Sequence, residues 1–302
     1  NPLMTRWAKE VSPDNVLPEY PRPQMVRDEK SWTILNGLWD YAIRPKDAGP
    51  PVEEEDWDGK ILVPFCVESA LSGVKKPVGP ENMLWYRRRV PRDELPEEGR
   101  LLLHFGASDW HTTVYSNGAK VGDHKGGYDP FTFDVTEAFG TTKDISDEIV
   151  VSVWDPTDAG FQPRGKQVQE PRGIWYTSVT GIWQTVWLER VPRSFVSSIQ
   201  IVPDVDKSQV SITVNSAGEG GKLNAIIVIR DGDQSLISRY SDVDSSSEIY
   251  IERSKSWSPE SPYLYGVAVQ LRDGKEVVDT VTSYFGMRKI EVKKDTDGFN
   301  RL

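Results

Sequence analysis

"QVSITVNSAGEGGKLNAIIVIRDG", residues 209–232, is the stretch that decides the fold. Val210, Ile212 and Val214 alternate with Gln209, Ser211 and Thr213, and Leu223, Ala225, Ile227 and Ile229 then share one face of a second run. A period of two puts alternate side chains on opposite faces of an extended chain, so both runs predict half-buried strands. "GEGGK" (218–222) between them lacks the GxxxxGK[ST] spacing of a phosphate-cradling loop and reads as a turn. Residues 148–154 repeat the pattern with Ile149, Val151 and Val153 on one face. Asn117-Gly118, Asp231-Gly232 and Asp273-Gly274 punctuate such runs, and these dipeptides accept the positive φ of hairpin turns. No long stretch has a helical period, and "EEEDWD" (53–58) reads as a solvated loop or one short turn. The expected fold is all-β: a jelly-roll β-sandwich over 1–190, then an immunoglobulin-like β-sandwich of about seven strands over 191–291. The boundary falls at "LERVPRSF" (188–195), where long aromatic-rich loops give way to short polar turns. The proline-rich start, residues 1–30, is expected as an arm lying over the first sandwich.

Composition narrows the function. A chain of 302 residues suggests two domains of roughly 150 residues each. A net charge of -10 repels phosphate backbones and anionic membrane surfaces, which argues against a nucleic-acid partner. No apolar run approaches the roughly 20 residues of a membrane span, so no membrane partner is expected. The single cysteine, Cys66, follows an apolar run and reads as a structural thiol. With only His104, His111 and His124 besides, no zinc spacing exists, and neither a metal nor a cofactor is expected. "DVDKS" (204–208) and "DVDSSS" (242–247) lack the glycine and terminal glutamate of a calcium loop. No charged-then-apolar signal stretch opens the chain. With one thiol this leans toward the cytoplasm, while a removed leader would leave a periplasmic or secreted location open.

Glycoside hydrolysis needs two carboxylates across the scissile bond, about 5–10 Å apart. The 46 acidic residues do not single out such a pair. "VYSNGAKVGDHKGGYDPFTFDVT" (114–136) supports two readings: a hairpin with a returning strand, or an aromatic shelf of Tyr128 and Phe131 for the apolar face of a sugar.

Several runs, in order, resemble one family. "ILNGLWDYAI" (34–43), "ILVPFCVESALSG" (61–73), "LWYRRRV" (84–90), residues 101–136, "VWDPTD" (153–158) and "TGIWQTVWLERV" (180–191) are similar to the N-terminal region of family 2 glycoside hydrolases. "WSPESPYLY" (257–265) and "FGMRKIEV" (285–292) resemble that family's immunoglobulin-like domain. The resemblance implies a sugar-binding jelly roll and an immunoglobulin-like sandwich. In the family a (β/α)₈ barrel follows, with the acid/base and nucleophile glutamates of a retaining mechanism. Residues 292–302 are then expected to begin the linker to that barrel. The chain alone is expected to lack the catalytic glutamates and to scaffold and wall the barrel's site, meeting its carbohydrate substrate through the barrel. A homo-oligomer of the full-length enzyme fits the same picture.

The resemblance also suggests site residues. Asp155 matches a family aspartate that binds the terminal sugar; it reads equally as a turn aspartate before Pro156. Asn82 maps to an asparagine in the loop before the "LWYRR" strand. Gln162, Arg164 and Trp175 sit on the 158–176 loop, which should project toward the barrel; they shape the pocket or pack the loop. Trp257 is expected as a structural corner and Arg288 as a domain-interface pair. Two other classes stay open: a free-standing carbohydrate-binding module, and an adhesion protein of immunoglobulin-like domains, against which the lack of internal repeats counts.

Overall fold

Each alternating run above is a strand in the computed structural model, which describes residues 4–19, 21, 22, 24–91, 99–140, 146–219 and 221–301. Gly220 of the "GEGGK" turn and residues 1–3, 20 and 23 of the arm lie outside the described residues. The chain divides into two units: Asn1–Pro21 with Lys30–Arg190, and Arg22–Glu29 with Val191–Leu302.

The first unit holds β1 (Trp32–Ile34), β2 (Gly37–Pro45), β3 (Gly59–Val63), β4 (Asn82–Pro91), β5 (Arg100–Phe105) and β6 (Ser108–Asp109). It continues with β7 (His111–Ser116), β8 (Ala119–Lys125), β9 (Phe131–Asp134), β10 (Ser146–Trp154), β11 (Gly181–Ile182) and β12 (Val186–Val191). Two sheets form a jelly-roll sandwich, in the orders β1-β12-β5-β9 and β3-β2-β4-β10-β7-β8, and β6 pairs with β11 apart from them. Trp39, Ile61, Leu84, Tyr86, Ile149, Val151 and Val153 of the larger sheet share one buried core with Leu101, Leu103, Phe105, Val186 and Leu188 of the smaller. The inward alternation read at 148–154 is therefore the face that loses its water, which is why the period is strict there.

The β7–β8 hairpin turns through Asn117 and Gly118, both at positive φ (48° and 80°), as a type I′ turn requires. Phe131 stacks on Phe105 and on His124, with ring centroids 4.9 and 4.2 Å away, and meets Phe133 edge-on. Of the two aromatics suggested as a sugar shelf, Phe131 is therefore scaffold, and Tyr128 stays exposed. "EEEDWD" contains a single 3₁₀ turn, Glu54–Asp56, closed by a reciprocal cap between Glu53 and Asp56.

The second unit is an immunoglobulin-like sandwich of seven strands: β13 (Ser194–Asp204), β14 (Gln209–Gly218), β15 (Leu223–Asp231), β16 (Gln234–Asp242), β17 (Ser246–Tyr250), β18 (Tyr265–Asp273) and β19 (Glu276–Phe285). They form sheets β13-β14-β17 and β16-β15-β18-β19. Val210, Ile212 and Val214 meet Ala225, Ile227, Ile229, Val267, Val269, Leu271 and Val281 in its core. A short pair, β20 (Lys293–Lys294) with β21 (Asn300–Arg301), follows.

One expectation is corrected here. The arm does not lie wholly over the first sandwich: Arg22–Glu29 belongs to the second unit. Met25 is 4% exposed in that unit's core, and Val26 exchanges backbone hydrogen bonds of 2.8 Å with Thr282 on β19. The Arg27 guanidinium forks the Asp279 carboxylate, with Nε–Oδ1 at 3.1 Å and Nη2–Oδ2 at 2.9 Å. Arg288 lies 4.6 Å over the ring of Trp257 in the same unit, a cation–π contact. Among the described residues no helix is long and apolar enough to cross a membrane.

Candidate functional site

β10 ends at Trp154, and the chain turns at once through Asp155 and Pro156. The Asp155 carboxylate accepts from the Thr157 backbone N–H (2.7 Å), the Thr157 hydroxyl (3.1 Å) and the Thr180 hydroxyl (2.8 Å). An aspartate that holds the backbone two residues on is an Asx turn, and Thr157 sits at φ +52° inside it. The side chain is buried, and desolvation raises its pKa against those hydrogen bonds.

Two further carboxylates gather here. Glu68 accepts from the Ser178 hydroxyl (3.1 Å) and the Thr180 N–H (2.9 Å), and burial raises its pKa as well. Asp109, on β6, accepts from the Gln167 side chain at 3.2 Å. Burial, then repulsion from Asp155, pushes its pKa up to about 7. Gly127 packs flat against it: a Cβ there would lie 2.5 Å from the Asp109 Cγ. Gln167 in turn accepts from the Val179 N–H at 2.6 Å. Thr180 thus contacts Asp155 and Glu68, and Gln167 links Asp109 to Val179.

Carboxylates with raised pKa values are candidates for acid/base work. Here Asp155 is 3% exposed and Asp109 5%, and both spend their oxygens on the loop. In this arrangement they fix residues 157–180, and Asp109 can exchange a proton near neutral pH. Among the described residues no group of three or more His, Cys, Asp or Glu side chains is placed to hold a metal ion.

The other expected site residues distribute around this centre. Gln162 donates to the Thr157 carbonyl (2.7 Å), so it converges with Asp155 on one residue. Asn82 begins β4, is half-buried and donates to the Val78 carbonyl at 2.8 Å. Its loop is tied to the end of β10 by the Trp154 indole N–H, which donates to the Pro80 carbonyl at 2.7 Å. The Nε of Arg164 is buried without an acceptor among the described residues. Trp175, 41% exposed, lines a separate cavity of about 350 Å³ with Asp158, Val168, Gln169, Glu170 and Arg172. Sequence reading missed Glu68, Asp109, Gln167 and Thr180, since no spacing connects them. The one signal was Asp109 itself, an acidic residue two positions before an alternating strand.

Residues 194–288 match the family described as "Glycosyl hydrolases family 2". This chain is a relative of the family 2 glycoside hydrolases. It is 30% identical over 225 residues to a β-galactosidase of Thermoanaerobacter pseudethanolicus, covering 70% of this chain and 29% of that protein. It is 25% identical over 296 residues to a β-glucuronidase of Paenibacillus borealis, covering 91% of this chain and 48% of the relative. Among solved structures, the Lactobacillus rhamnosus β-glucuronidase superposes with a TM-score of 0.70 at 20% identity, covering 90% of this chain and 46% of that one. The Bifidobacterium dentium β-glucuronidase, solved with coumarin-3-O-glucuronide, gives 0.68 at 20% identity, covering 90% and 50%. At these identities the structural likeness speaks for the fold. The chain spans about half the length of these relatives, or less.

Proposed function

We propose that this chain is the non-catalytic sandwich portion of an exo-acting β-glycosidase, holding and partly walling an active site whose glutamates lie on another domain. The parent reaction is retaining hydrolysis of a terminal β-linked sugar. Residues 1–190 act as the sugar-binding jelly roll, 191–291 as the immunoglobulin-like support, and 292–302 lead toward the catalytic barrel. Asp155 contributes to terminal-sugar binding, with Asn82, Gln162, Arg164 and Trp175 shaping the wall.

The observation that carries this reading is one of coverage: glycosidase sequences align with about nine-tenths of this chain while it fills half of them or less. A second support is the way Asp155, Glu68 and Asp109 brace one long loop, because a wall beside a reacting sugar must be rigid to position it. The test is an assay of the purified 302-residue chain on nitrophenyl β-galactoside and β-glucuronide. No turnover is expected, and measurable hydrolysis overturns the proposal. In the complete enzyme, Asp155→Asn should lower kcat/KM while Thr180→Val, which loosens the same turn and keeps the carboxylate, lowers it less; unchanged kcat/KM in Asp155→Asn removes Asp155 from the site.

A further inference from the structure

We propose that Asp109 and Gln167 form a proton-operated clasp on the 158–176 loop, closed while Asp109 is protonated and released when it ionises. The inference takes its purpose from the wall role proposed above: the wall is firm below neutral pH and loosens above it.

The loop is braced within itself. The Val168 N–H donates to the Tyr176 carbonyl (3.0 Å), the Tyr176 N–H to the Lys166 carbonyl (2.8 Å) and the Gln169 side chain to Asp158 Oδ1 (3.0 Å), so the segment can move as one piece. Gln162 reaches only the Thr157 carbonyl, at the loop's own base. Among the described residues, one hydrogen bond ties 158–176 to a sheet strand: the Gln167 amide donates to Asp109 Oδ2, on β6, at 3.2 Å. The same side chain accepts from the Val179 N–H at 2.6 Å, so Gln167 joins the loop, the strand and the returning chain.

Asp109 is also the least supplied of the three carboxylates. Asp155 accepts from Thr157 twice and from Thr180, and Glu68 from Ser178 and Thr180, whereas the Asp109 side chain accepts from Gln167 alone, at the long end of the hydrogen-bond range. The charges that act on it are both negative: Asp155 at the end of β10 and Glu68 after β3. Beyond Glu68 stand the Cys66 thiol and the Tyr86 hydroxyl, and beyond Asp155 stand Asp158 and Arg164. Gly127 and Gln167, both uncharged, pack directly on Asp109. A buried carboxylate with one donor must draw in water when it ionises. Gly127 is pinned, since its carbonyl accepts from the Trp183 indole N–H (2.8 Å) and the Gly126 N–H donates to the Trp110 carbonyl (3.1 Å). Gln167 is the side that yields, because no other hydrogen bond among the described residues holds its segment to a strand. Burial and the neighbouring carboxylates put that ionisation at about pH 7.

The test is hydrogen exchange of the Val179 amide, which loses its acceptor when Gln167 leaves. It is followed by NMR on the ¹⁵N-labelled 302-residue chain at about pH 6 and about pH 8.5, with the intrinsic rate at each pH divided out. With the Asp109 pKa at about 7 when closed and its ordinary 3.8 when open, Val179 opening should rise about tenfold between those conditions and level off above pH ~8. Asp109→Asn, an uncharged isostere that still accepts from Gln167, should keep Val179 slow at both pH values. Gln167→Ala should make it fast at both. Amides of β10 should exchange at least about tenfold more slowly than Val179 in all of these proteins, which shows that the sandwich stays folded while the clasp opens. A rise below about threefold in the wild type, a rise of about tenfold retained in Asp109→Asn, or Val179 and β10 exchanging at one rate each overturns the clasp. The wall role is judged separately, by hydrolysis in the complete enzyme.

Discussion

Replacing Arg27 by alanine is expected to loosen the second unit, although Arg27 lies 169 residues before Val196 in that sandwich. Arg27 and Asp279 form a buried pair, with side chains 4% and 3% exposed. Removing one member of such a pair leaves the other charge uncompensated, at a cost of about 3–5 kcal/mol. The lower end applies, because Asp279 would still accept from the Val196 N–H (2.8 Å) and the Thr280 N–H (2.9 Å). A loss of about 3 kcal/mol corresponds to roughly 100-fold faster opening-limited exchange. Hydrogen exchange read on β18 and β19 peptides checks this, with β5 of the first unit as internal reference. Arg27→Lys keeps the charge but not the two-point fork and should fall between alanine and wild type. In a double-mutant cycle with Asp279→Asn, the two losses should be less than additive by about 1 kcal/mol or more. Exchange in β19 within about threefold of wild type for Arg27→Ala would refute the reasoning. The arm segment would then be an accessory contact, not a member of this sandwich.

Three further outcomes follow from the carboxylate centre. Asp109 holds its proton to about pH 7 when folded, against an ordinary value of 3.8, so the native state binds more protons than the unfolded chain between those values. Its stabilisation is greatest below pH ~4 and is lost as pH rises through 7; Asp109→Asn should flatten that slope and raise stability at pH 8 by at most roughly 4 kcal/mol. Urea midpoints at pH 5 and pH 8 measure it, and an unchanged slope contradicts the assignment. Gly127→Ala should cost about 1–3 kcal/mol by driving a methyl into Asp109, read as a lowered melting temperature. Thr180→Val should cost about 1–3 kcal/mol by taking a donor from buried Asp155, and Thr180→Ser should recover most of it.

The sandwiches were legible wherever one strand face is buried, because desolvation imposes the period of two locally. Residues 148–154, 209–214 and 223–229 each carried that mark. The place of the arm was not legible. Its anchors are one methionine and one arginine, without periodicity, and the ionic partner lies 252 residues away. The carboxylate centre was legible only at Asp155, through resemblance. Its other members are assembled by pairing: β6 against β11 sets Asp109 opposite Gly181 and so beside Thr180. That juxtaposition exists only after the sheets form. The same step explains why three carboxylates, Asp109 and Asp155 buried and Glu68 half-buried, can be tolerated in one place. Each is introduced by a different strand or loop, and the single segment 157–180 supplies donors to all three. The loop thus gains rigidity from groups that would otherwise repel one another, which is the rigidity the proposed accessory role calls for.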